Sequence, residues 1–311
     1  MKLTKPLISI AMCTYNGEQY VREQIQSICQ QTYNNIEIII VDDNSSDKTI
    51  EIASSIAKYD NRIKIHKNDI NIGYNKNFEK ACCLTSGEFI AIADQDDVWG
   101  PDKIEILYNY IKTHEDILLV HGLSMNYLNN KKQIAGIKNI TRITNYDLGN
   151  SVQHFFLQNR ISGHNILMRK KLFKLACPYP DDVYYDWWLC AVAACNGKLR
   201  FVKQILTWHR IHDNNVSGAI FSLKKMTIKE QLILLHKWFQ RLSNITEEDK
   251  KISLSLLTHY EFLKKDKFSL LLFLFIIKRS RRFFASKKRL IPYFSYIKNA
   301  FRYAHGKSYL K

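Results

Sequence analysis

Four apolar runs, each followed by a helical pattern, fill residues 7–114, and this alternation constrains the fold more than any other feature. The runs read LISIAMC at 7–13, IEIIIVDD at 36–43, RIKIHKN at 62–68 and EFIAIADQDD at 88–97. Nearly continuous apolar runs are typical of parallel strands that helices cover on both faces. The sequence therefore predicts an α/β fold with a mostly parallel central sheet.

Polar residues follow the apolar part of each predicted strand. The four stretches read CTYNGE, VDDNSSD, KNDINIG and ADQDD. In open parallel sheets, ligands bind beyond the carboxyl ends of the strands. We therefore expect the functional groups to lie along one edge of the sheet.

The positive charge lies almost entirely in the last third of the chain. Residues 1–222 carry 25 basic and 23 acidic side chains, a net charge of +2, whereas residues 223–311 carry 21 and 6, a net charge of +15. The later residues also show a helical pattern. We predict an α/β domain over 1–222 and a basic, helical extension over 223–311, called the tail below.

The cysteines and apolar runs indicate a compartment. Seven cysteines without a C-x-x-C pair argue against a disulfide framework and a zinc module, and they fit a reducing cytoplasm. The N-terminal residues have no secretory cleavage pattern. The longest apolar run, Leu270 to Ile277, is far shorter than the ~20 residues that cross a bilayer. We therefore expect a cytoplasmic protein without a membrane span.

Three carboxylates, those of Asp94, Asp96 and Asp97, follow the fourth predicted strand. Such a cluster commonly holds a hard divalent cation, Mg²⁺ or Mn²⁺, that also bridges phosphates. The alternative is a solvated turn in which one Asp caps the next helix. The position directly after a buried strand favours the metal site.

A second acidic pair, Asp42 and Asp43, ends the second predicted strand. Two carboxylates at this place suit hydrogen bonding to a nucleobase or ribose. Ser46 or Asp47 nearby has the simpler role of capping the next helix. The chain contains neither G-x-G-x-x-G nor the P-loop pattern, so a Rossmann dinucleotide site and a P-loop site are not supported.

Five sequence blocks occur in an order that resembles family 2 glycosyltransferases. They are ISIAMCTYNGEQ to DNSSD, then NIGYNKNFEKA, SGEFIAIADQDDVWGPDKI, YYDWWL and WHRIHDNNVSG. The resemblance covers residues 6 to about 218. It implies the GT-A fold of inverting enzymes that use nucleotide-activated sugars. The blocks QDDVW, DWWL and R-x-H-x-x-N are most similar to rhamnosyltransferase-type members of bacterial polysaccharide clusters.

The resemblance also implies roles for individual residues. It assigns the nucleotide pocket to Thr14, Tyr15, Asn16, Glu18, Asp43 and Asn77, with Asp43 on the base. It assigns Asp94 to the ribose, Asp96 and Asp97 to a Mn²⁺ or Mg²⁺ ion, and Arg210 and His212 to the diphosphate, with His212 as a further metal ligand.

Asp186 matches the general base that takes the proton of the acceptor hydroxyl. Without the resemblance, it reads as a first-turn acid that interacts with a helix dipole. His164 stands where relatives usually carry a small residue or cysteine, so the acceptor side of the site departs from the family pattern.

The tail combines an apolar run with clustered cations. KRSRRFFASKKR at 278–289 follows KFSLLLFLFII, a pattern typical of a segment at an anionic lipid surface. It predicts peripheral association with the inner face of the cell membrane. The alternatives are a helical appendage packed on the catalytic domain and an RNA-binding surface, and the absence of a recognised RNA module argues against nucleic acid.

Together these features predict a metal-dependent, inverting glycosyltransferase of polysaccharide biosynthesis (O-antigen, capsule or lipooligosaccharide). The donor would carry a hexose or deoxyhexose, with rhamnose favoured, and the acceptor would be a lipid-linked or cell-surface glycan. A UDP-hexose or UDP-N-acetylhexosamine donor is the nearest alternative. Two rivals from other classes are a nucleotidyltransferase, which should show a Gly-rich basic loop where this chain has TYNGE, and a non-catalytic membrane adaptor.

Overall fold

The computed structural model describes residues 5–127, 151–212, 227–242, 244–265, 267–285 and 292–305. These residues form two compact units. The first unit comprises the described residues up to 127 together with 161–189 and 198–211, and the second comprises 151–160, 190–197 and the described residues from 212 onward. The boundary predicted near residue 222 lies outside the described residues.

The first unit is built on the predicted alternation of strands and helices. Its first four strands are β1 (Ile8–Thr14), β2 (Ile36–Asp42), β3 (Ile63–Lys67) and β4 (Phe89–Ala93), all parallel, in the order β3-β2-β1-β4. The helices between and after them are α1 (Val21–Cys29), α2 (Thr49–Ala57), α3 (Tyr74–Cys83) and α4 (Lys103–Ile111). The predicted α/β fold is confirmed.

Burial explains why three of these strands read as apolar runs. All residues of β2 and β4 are buried, as are six of the seven residues of β1. Ile25 and Ile28 of α1 and Leu107 of α4 join the same core cluster. Both faces of these three strands are therefore covered, whereas β3, at the sheet edge, is only partly buried.

The sheet continues beyond β4 with mixed strands. These are β5 (Val98–Trp99), β6 (Ile117–Tyr127), β7 (Ile166–Arg169) and β8 (Lys198–Arg210), in the order β4-β7-β6-β8-β5. β7 is antiparallel to β4 and β6, whereas β6 and β8 are parallel. A short 3₁₀ helix, Gly163–Asn165, precedes β7, and α5 (Lys170–Ala176) follows it.

The sequence predicts two short strands, LRFVK and LTWHRIH, where the structure has the single strand β8. The register against β6 shifts between the pairs His121↔Phe201 and Leu123↔Ile205. The shift occurs at Lys203 and Gln204, which are exposed polar residues. A β-bulge therefore interrupts the apolar pattern without ending the strand.

The described part of the second unit is helical. After the 3₁₀ helix Val152–Phe155, its helices are the second part of α6 (Tyr185–Asn196), α7 (Ile228–Phe239), α8 (Glu247–Phe262), α9 (Leu270–Lys278), α10 (Ser280–Phe283) and α11 (Pro292–Tyr303). A capping box between Thr227 and Glu230 begins α7. The rings of Phe156, Phe239 and Phe283 pack together with 5.1 and 6.1 Å between centroids. The predicted helical extension is confirmed, and no helix among the described residues is long and apolar enough to cross a bilayer.

Candidate active site

The loop after β1 is fixed by the loop after β2. The hydroxyl of Thr14 donates to Asp42 Oδ2 at 2.8 Å, and the side-chain oxygen of Asn16 accepts from the Ser46 N–H at 2.9 Å. Asn16 adopts a φ of 47°, a left-handed conformation that Asn tolerates. Glu18 accepts from the Lys48 N–H at 3.0 Å. Thr14, Asn16 and Glu18 are three of the predicted nucleotide-pocket residues. They form a rim after β1 that these hydrogen bonds fix to the loop before α2.

Gln95 joins this rim to the acidic cluster. Its side chain donates to the Tyr15 carbonyl at 2.9 Å and accepts from the Tyr15 N–H at 2.8 Å. A Cβ atom at Gly17 would lie 2.2 Å from the Gln95 Oε1 atom. Only glycine at position 17 therefore allows Gln95 to bridge the ends of β1 and β4, while half of the Tyr15 side chain stays exposed.

Asp43 organises the loop after β3. Its carboxylate accepts from Asn68 Nδ2 at 2.9 Å, from the Ile72 N–H at 2.8 Å and from the Gly73 N–H at 2.9 Å. Asn68 also donates to the side chain of Asn77, which is buried and donates to the Val41 carbonyl. A carboxylate has about four acceptor positions, so roughly one position on Asp43 is left for a ligand.

Asp97 is fully buried and is the centre of the acidic cluster. Its Oδ1 atom accepts from His209 Nδ1 at 3.0 Å and from the Arg210 N–H at 3.2 Å. His164 Nδ1 lies 3.3 Å from Asp97 Oδ2 and 3.4 Å from Asp94 Oδ2. The two imidazole rings are stacked with 5.0 Å between their centroids. The Asp97 carboxylate thus joins the end of β4 to the end of β8 and to the 3₁₀ helix before β7.

The charges in this cluster shift one another's pKa values. Burial acts to raise the pKa of Asp97, but its interactions with His164, His209 and Lys103 outweigh burial and hold the pKa below its usual range. Burial acts to lower the pKa of His209, but its hydrogen bond to Asp97 and the nearby carboxylates raise it to about 9. At neutral pH the Asp97–His209 pair is therefore ionised.

Lys103 adds a buried amino group behind the cluster. Its side chain is fully buried and donates to the His164 carbonyl at 2.5 Å and to the Thr207 hydroxyl at 2.9 Å. The ammonium group also lies 3.5 Å from the centre of the Trp99 ring. Burial lowers the pKa of Lys103 well below its ordinary value, against the charges of Asp97 and Asp94. Lys103 fixes the main chain that carries His164.

The cluster has the donor set of a metal site. Ligand atoms of Asp97, His164 and His209 all lie within 4.8 Å of one another. Among the described residues, Asp97 Oδ2 and His164 Nε2 are buried without a hydrogen-bond partner, which leaves them available to an ion. One carboxylate with two imidazoles suits a divalent transition-metal ion better than an all-oxygen Mg²⁺ site, provided that His209 loses its proton when the ion binds. The residues therefore fit a divalent cation.

This cluster overlaps only in part with the predicted metal ligands Asp96, Asp97 and His212. Asp97 is common to both sets. Asp96 is partly buried beside the cluster and accepts from the Arg210 side chain through its carbonyl at 3.0 Å. His212 is partly buried, follows β8 by two residues and belongs to the second unit. Asn215 of the R-x-H-x-x-N block lies outside the described residues.

Arg210 is held by several groups. Its guanidinium pairs with Glu23 of α1 and lies 4.8 Å from the centre of the Tyr20 ring. The side chain is nearly buried, whereas about half of the Glu23 side chain is exposed. The predicted diphosphate contact of Arg210 therefore requires a ligand to compete with Glu23 or to bind beside it.

Asp186 is the second residue of α6, and its side chain contacts the 3₁₀ helix Gly163–Asn165. Its carboxylate accepts from the Trp187 N–H at 2.6 Å and from the Gly163 N–H at 3.3 Å. Burial raises the pKa of Asp186, the two backbone hydrogen bonds lower it, the Asp94 charge raises it, and the result is about 6. A Cβ atom at Gly163 would lie 2.1 Å from the Tyr185 hydroxyl, so the close approach of this loop needs glycine.

The 3₁₀ helix couples Asp186 to the cluster. Gly163 contacts Asp186, and the next residue, His164, contacts Asp94 and Asp97. A carboxylate that is half protonated near pH 6 can exchange a proton near neutral pH, and the adjacent cluster can hold a cation. The arrangement places a candidate base beside a candidate metal site.

Sequence reasoning missed four groups of the site: His209, Lys103, Gln95 and Glu23. The sequence carries a weak signal for the contacts of Thr207 and His209, because these polar residues are two positions apart and so lie on the same side of β8. Lys103 and Glu23 lie in ordinary helical patterns, and no local signal distinguishes them.

Comparisons with known proteins agree with this geometry. Residues 9–175 match the family described as Glycosyl transferase family 2. An uncharacterized glycosyltransferase from Haemophilus influenzae is 30% identical over 235 residues, which cover 72% of each chain. The Escherichia coli protein WfaP, a UDP-Glc:alpha-D-GlcNAc-diphosphoundecaprenol beta-1,3-glucosyltransferase, is 30% identical over 215 residues, 69% of this chain and 81% of WfaP.

A solved structure shares the fold. Mannosyltransferase PcManGT from Pyrobaculum calidifontis, in complex with GDP-Man and Mn²⁺, aligns with a TM-score of 0.60 at 15% identity, over 82% of this chain and 70% of that one. The alignment supports the GT-A fold that the sequence blocks imply. The order of strands, the matched family region and the identity to these relatives lead to one conclusion: the chain belongs to glycosyltransferase family 2.

Proposed function

We propose that this protein is an inverting glycosyltransferase that transfers a sugar from a nucleoside diphosphate donor to a glycan acceptor in bacterial polysaccharide biosynthesis. The observation that carries the proposal is the position of Asp186, whose pKa is raised to about 6 and which contacts the 3₁₀ helix of the acidic cluster. One carboxylate is thus available for proton transfer, while the pKa of nearby Asp97 is held below its usual range.

Asp186 is the proposed general base. Inverting transfer is a single displacement, in which the acceptor oxygen attacks the anomeric carbon as the bond to the diphosphate breaks. Asp186 takes the proton of the attacking hydroxyl, and the nucleoside diphosphate leaves with the bonding electron pair. The Trp187 and Gly163 N–H groups orient the carboxylate for this role.

The divalent cation belongs to the same proposal. Asp97, His164 and His209 would hold it, with Asp96 and His212 as the further ligands that the family resemblance implies. A bound cation supplies positive charge for the leaving diphosphate. Imidazole ligands favour Mn²⁺ over Mg²⁺, which prefers oxygen ligands.

The rim after β1, Asp43 and Asn77 form the proposed nucleotide site. A deoxyhexose donor, with rhamnose favoured, follows from the QDDVW, DWWL and R-x-H-x-x-N blocks. The name of WfaP states a UDP-glucose donor, which supports a UDP-hexose as the alternative. Both donor classes are therefore part of the test.

The acceptor is proposed to be lipid-linked. WfaP acts on a diphosphoundecaprenol-linked sugar according to its name, and the tail of this chain carries a net charge of +15. We place the protein in the cytoplasm, at the inner face of the cell membrane, with the catalytic domain over residues 1–222.

A thermal-unfolding screen tests donor and metal together. The full chain is mixed with nucleoside diphosphate sugars and with Mn²⁺ or Mg²⁺, and the midpoint of unfolding is measured. A ligand at about 100 times its Kd stabilises the native state by ~2.7 kcal/mol. We expect stabilisation by one donor class only when a divalent cation is present. If no donor shifts the midpoint under any metal condition, the proposal is wrong.

The nucleotidyltransferase rival predicts a different product. Such an enzyme releases pyrophosphate from a nucleoside triphosphate, whereas a glycosyltransferase releases a nucleoside diphosphate from its donor. The loop after β1 argues against the rival, because it is short and fixed by Gln95, Ser46 and Lys48 rather than Gly-rich and basic. Measuring both products after incubation with an acceptor extract separates the two activities.

A further inference from the structure

Helices α9 and α11 of the second unit each bury one side and expose an apolar side. Leu272 and Ile276 of α9 are fully buried, as is Ala300 of α11, whereas Leu271 is 71% exposed and Phe294 is 70% exposed. The exposed large apolar residues, called the apolar face below, are Phe268, Leu270, Leu271, Leu274, Tyr293, Phe294 and Phe301. Contiguous apolar surface of this kind marks an interaction site.

Contacts join the two helices where the apolar face begins. The Phe268 ring stacks on the Phe301 ring with 5.0 Å between centroids, and the Ser269 N–H donates to the Ala304 carbonyl at 3.0 Å. Leu271 and Leu274 are three residues apart, so they lie on the same side of α9. The face therefore extends from α11 onto α9.

Cations lie on the same helix sides as the apolar residues. The exposed residue Lys278 follows Leu274 by four positions, and Lys298 lies between Phe294 and Phe301 at helical spacing. Residues 267–311 contain twelve Lys and Arg and no Asp or Glu. Apolar side chains interleaved with cations are typical of helices that lie in the surface of an anionic bilayer.

We propose that the apolar face of α9 and α11 is a docking surface for an anionic lipid bilayer. Leu271, Leu274 and Phe294 enter the boundary between headgroups and acyl chains, and Lys278 and Lys298 contact anionic headgroups. A second copy of this chain fits the surface poorly, because two faces rich in cations and without acids repel each other. The docking surface rests on the proposed function in one respect: a lipid-linked acceptor gives the protein a reason to bind the membrane.

Vesicle cosedimentation of the full chain, without donor or metal, tests the surface. The vesicles contain phosphatidylcholine alone or equal parts of phosphatidylcholine and phosphatidylglycerol. Wild type is expected to bind the anionic vesicles, and the double variant Leu271→Ser, Leu274→Ser is expected to bind about tenfold more weakly. Lys298→Glu should weaken binding at least fivefold, which is ~1 kcal/mol per cation converted at 1.4 kcal/mol per tenfold.

Matched controls lie on α8 of the same unit. Leu254 is 50% exposed and Lys251 is exposed, so Leu254→Ser and Lys251→Glu change similar residues away from the apolar face. Both controls should bind vesicles within about twofold of wild type. Equal losses in control and test variants would overturn the proposal, as would a wild-type protein that ignores both vesicles.

Two further measurements separate the alternatives. Sedimentation velocity detects a dimer. If wild type forms a dimer that the variant Leu271→Ser, Leu274→Ser does not form, the apolar face binds a second copy of this chain and not a bilayer. Donor-induced thermal stabilisation, measured on the same proteins, reports the proposed function independently. Donor binding without vesicle binding would contradict only the docking surface. Vesicle binding without donor binding would contradict only the proposed enzymatic function.

Discussion

The two units depart from the usual distribution of side chains in opposite directions. The first unit buries ionisable side chains, since Asp97 and Lys103 are both fully buried. The second unit exposes large apolar groups, with Leu271 and Phe294 about 70% exposed. Buried charges and exposed apolar patches are the two informative exceptions to the rule that apolar residues lie inside.

The two exceptions differ in what holds them in place. Each charge of the first unit depends on partners, because an unpaired buried charge is costly. The exposed leucines of the second unit need no specific partner, because most of each side chain contacts solvent. Substitutions at the acidic cluster should therefore change stability or chemistry strongly, whereas substitutions on the apolar face should change only what binds there.

The largest expected effect is at Asp186. Asp186→Asn keeps the size of the side chain but removes the proton acceptor, and a general base of this type contributes ~10²- to 10⁴-fold to rate. Turnover should fall by about that factor while donor affinity stays close to wild type. The measurement is acceptor-dependent release of nucleoside diphosphate at saturating donor.

The exposed carboxylate of Asp182, four residues earlier, provides the control. Asp182→Asn should leave turnover nearly unchanged. Turnover of Asp186→Asn within about threefold of wild type would show that Asp186 only interacts with the helix dipole.

Asp97→Asn should have the next largest effect, on stability. The change removes the buried negative charge that pairs with partly buried His209, and removing one partner of a buried ion pair costs ~3–5 kcal/mol. Chemical denaturation should show a loss of this size. Asp69→Asn, at an exposed position of the same unit, should cost less than ~0.5 kcal/mol. Equal stability of the two variants would mean that the cluster does not depend on the Asp97 charge.

The pH dependence of transfer should report the pKa of Asp186. The base acts when ionised, so the rate should rise with pH, reach half its plateau near pH 6, and fall about tenfold per pH unit below that. The same raised pKa has the opposite effect on stability. In the unfolded chain the Asp186 carboxyl ionises near pH 4, whereas in the folded protein it ionises near pH 6. The free energy of unfolding therefore falls as pH rises from about 4 toward 6. Asp186→Asn should remove this slope. A rate that is flat between pH 5 and pH 7 would contradict the raised pKa.

The smallest expected effect is the stability of the apolar-face variant. Leu271→Ser together with Leu274→Ser removes side chains that are largely exposed, so each change should shift the free energy of unfolding by less than ~0.5 kcal/mol. Equilibrium denaturation measures this directly. A loss of several kcal/mol would mean that these leucines complete a core, and it would remove the contrast between the units.

The sequence predicts the parts of the molecule whose signal is local. The apolar runs predict β1, β2 and β4, and the polar stretches that follow them predict the edge where the candidate site lies. The short strands β5 and β7 and the bulge in β8 have no local signal, because pairing with distant strands creates them. The same holds within the site, where Asp97 is a strong local signal but its partners His209 and Lys103 are chosen by the tertiary fold.

The contact between Asp97 and His209 also has a consequence for how the protein is made. The two residues are 112 positions apart in the chain, and loop closure over such distances is slow because its entropy is lost before the contact forms. During synthesis, β1 to β4 can pair long before β8 leaves the ribosome. The acidic cluster therefore remains without His209 and Arg210 until residues 198–210 are added, and cation binding should appear late, as one of the last events of folding.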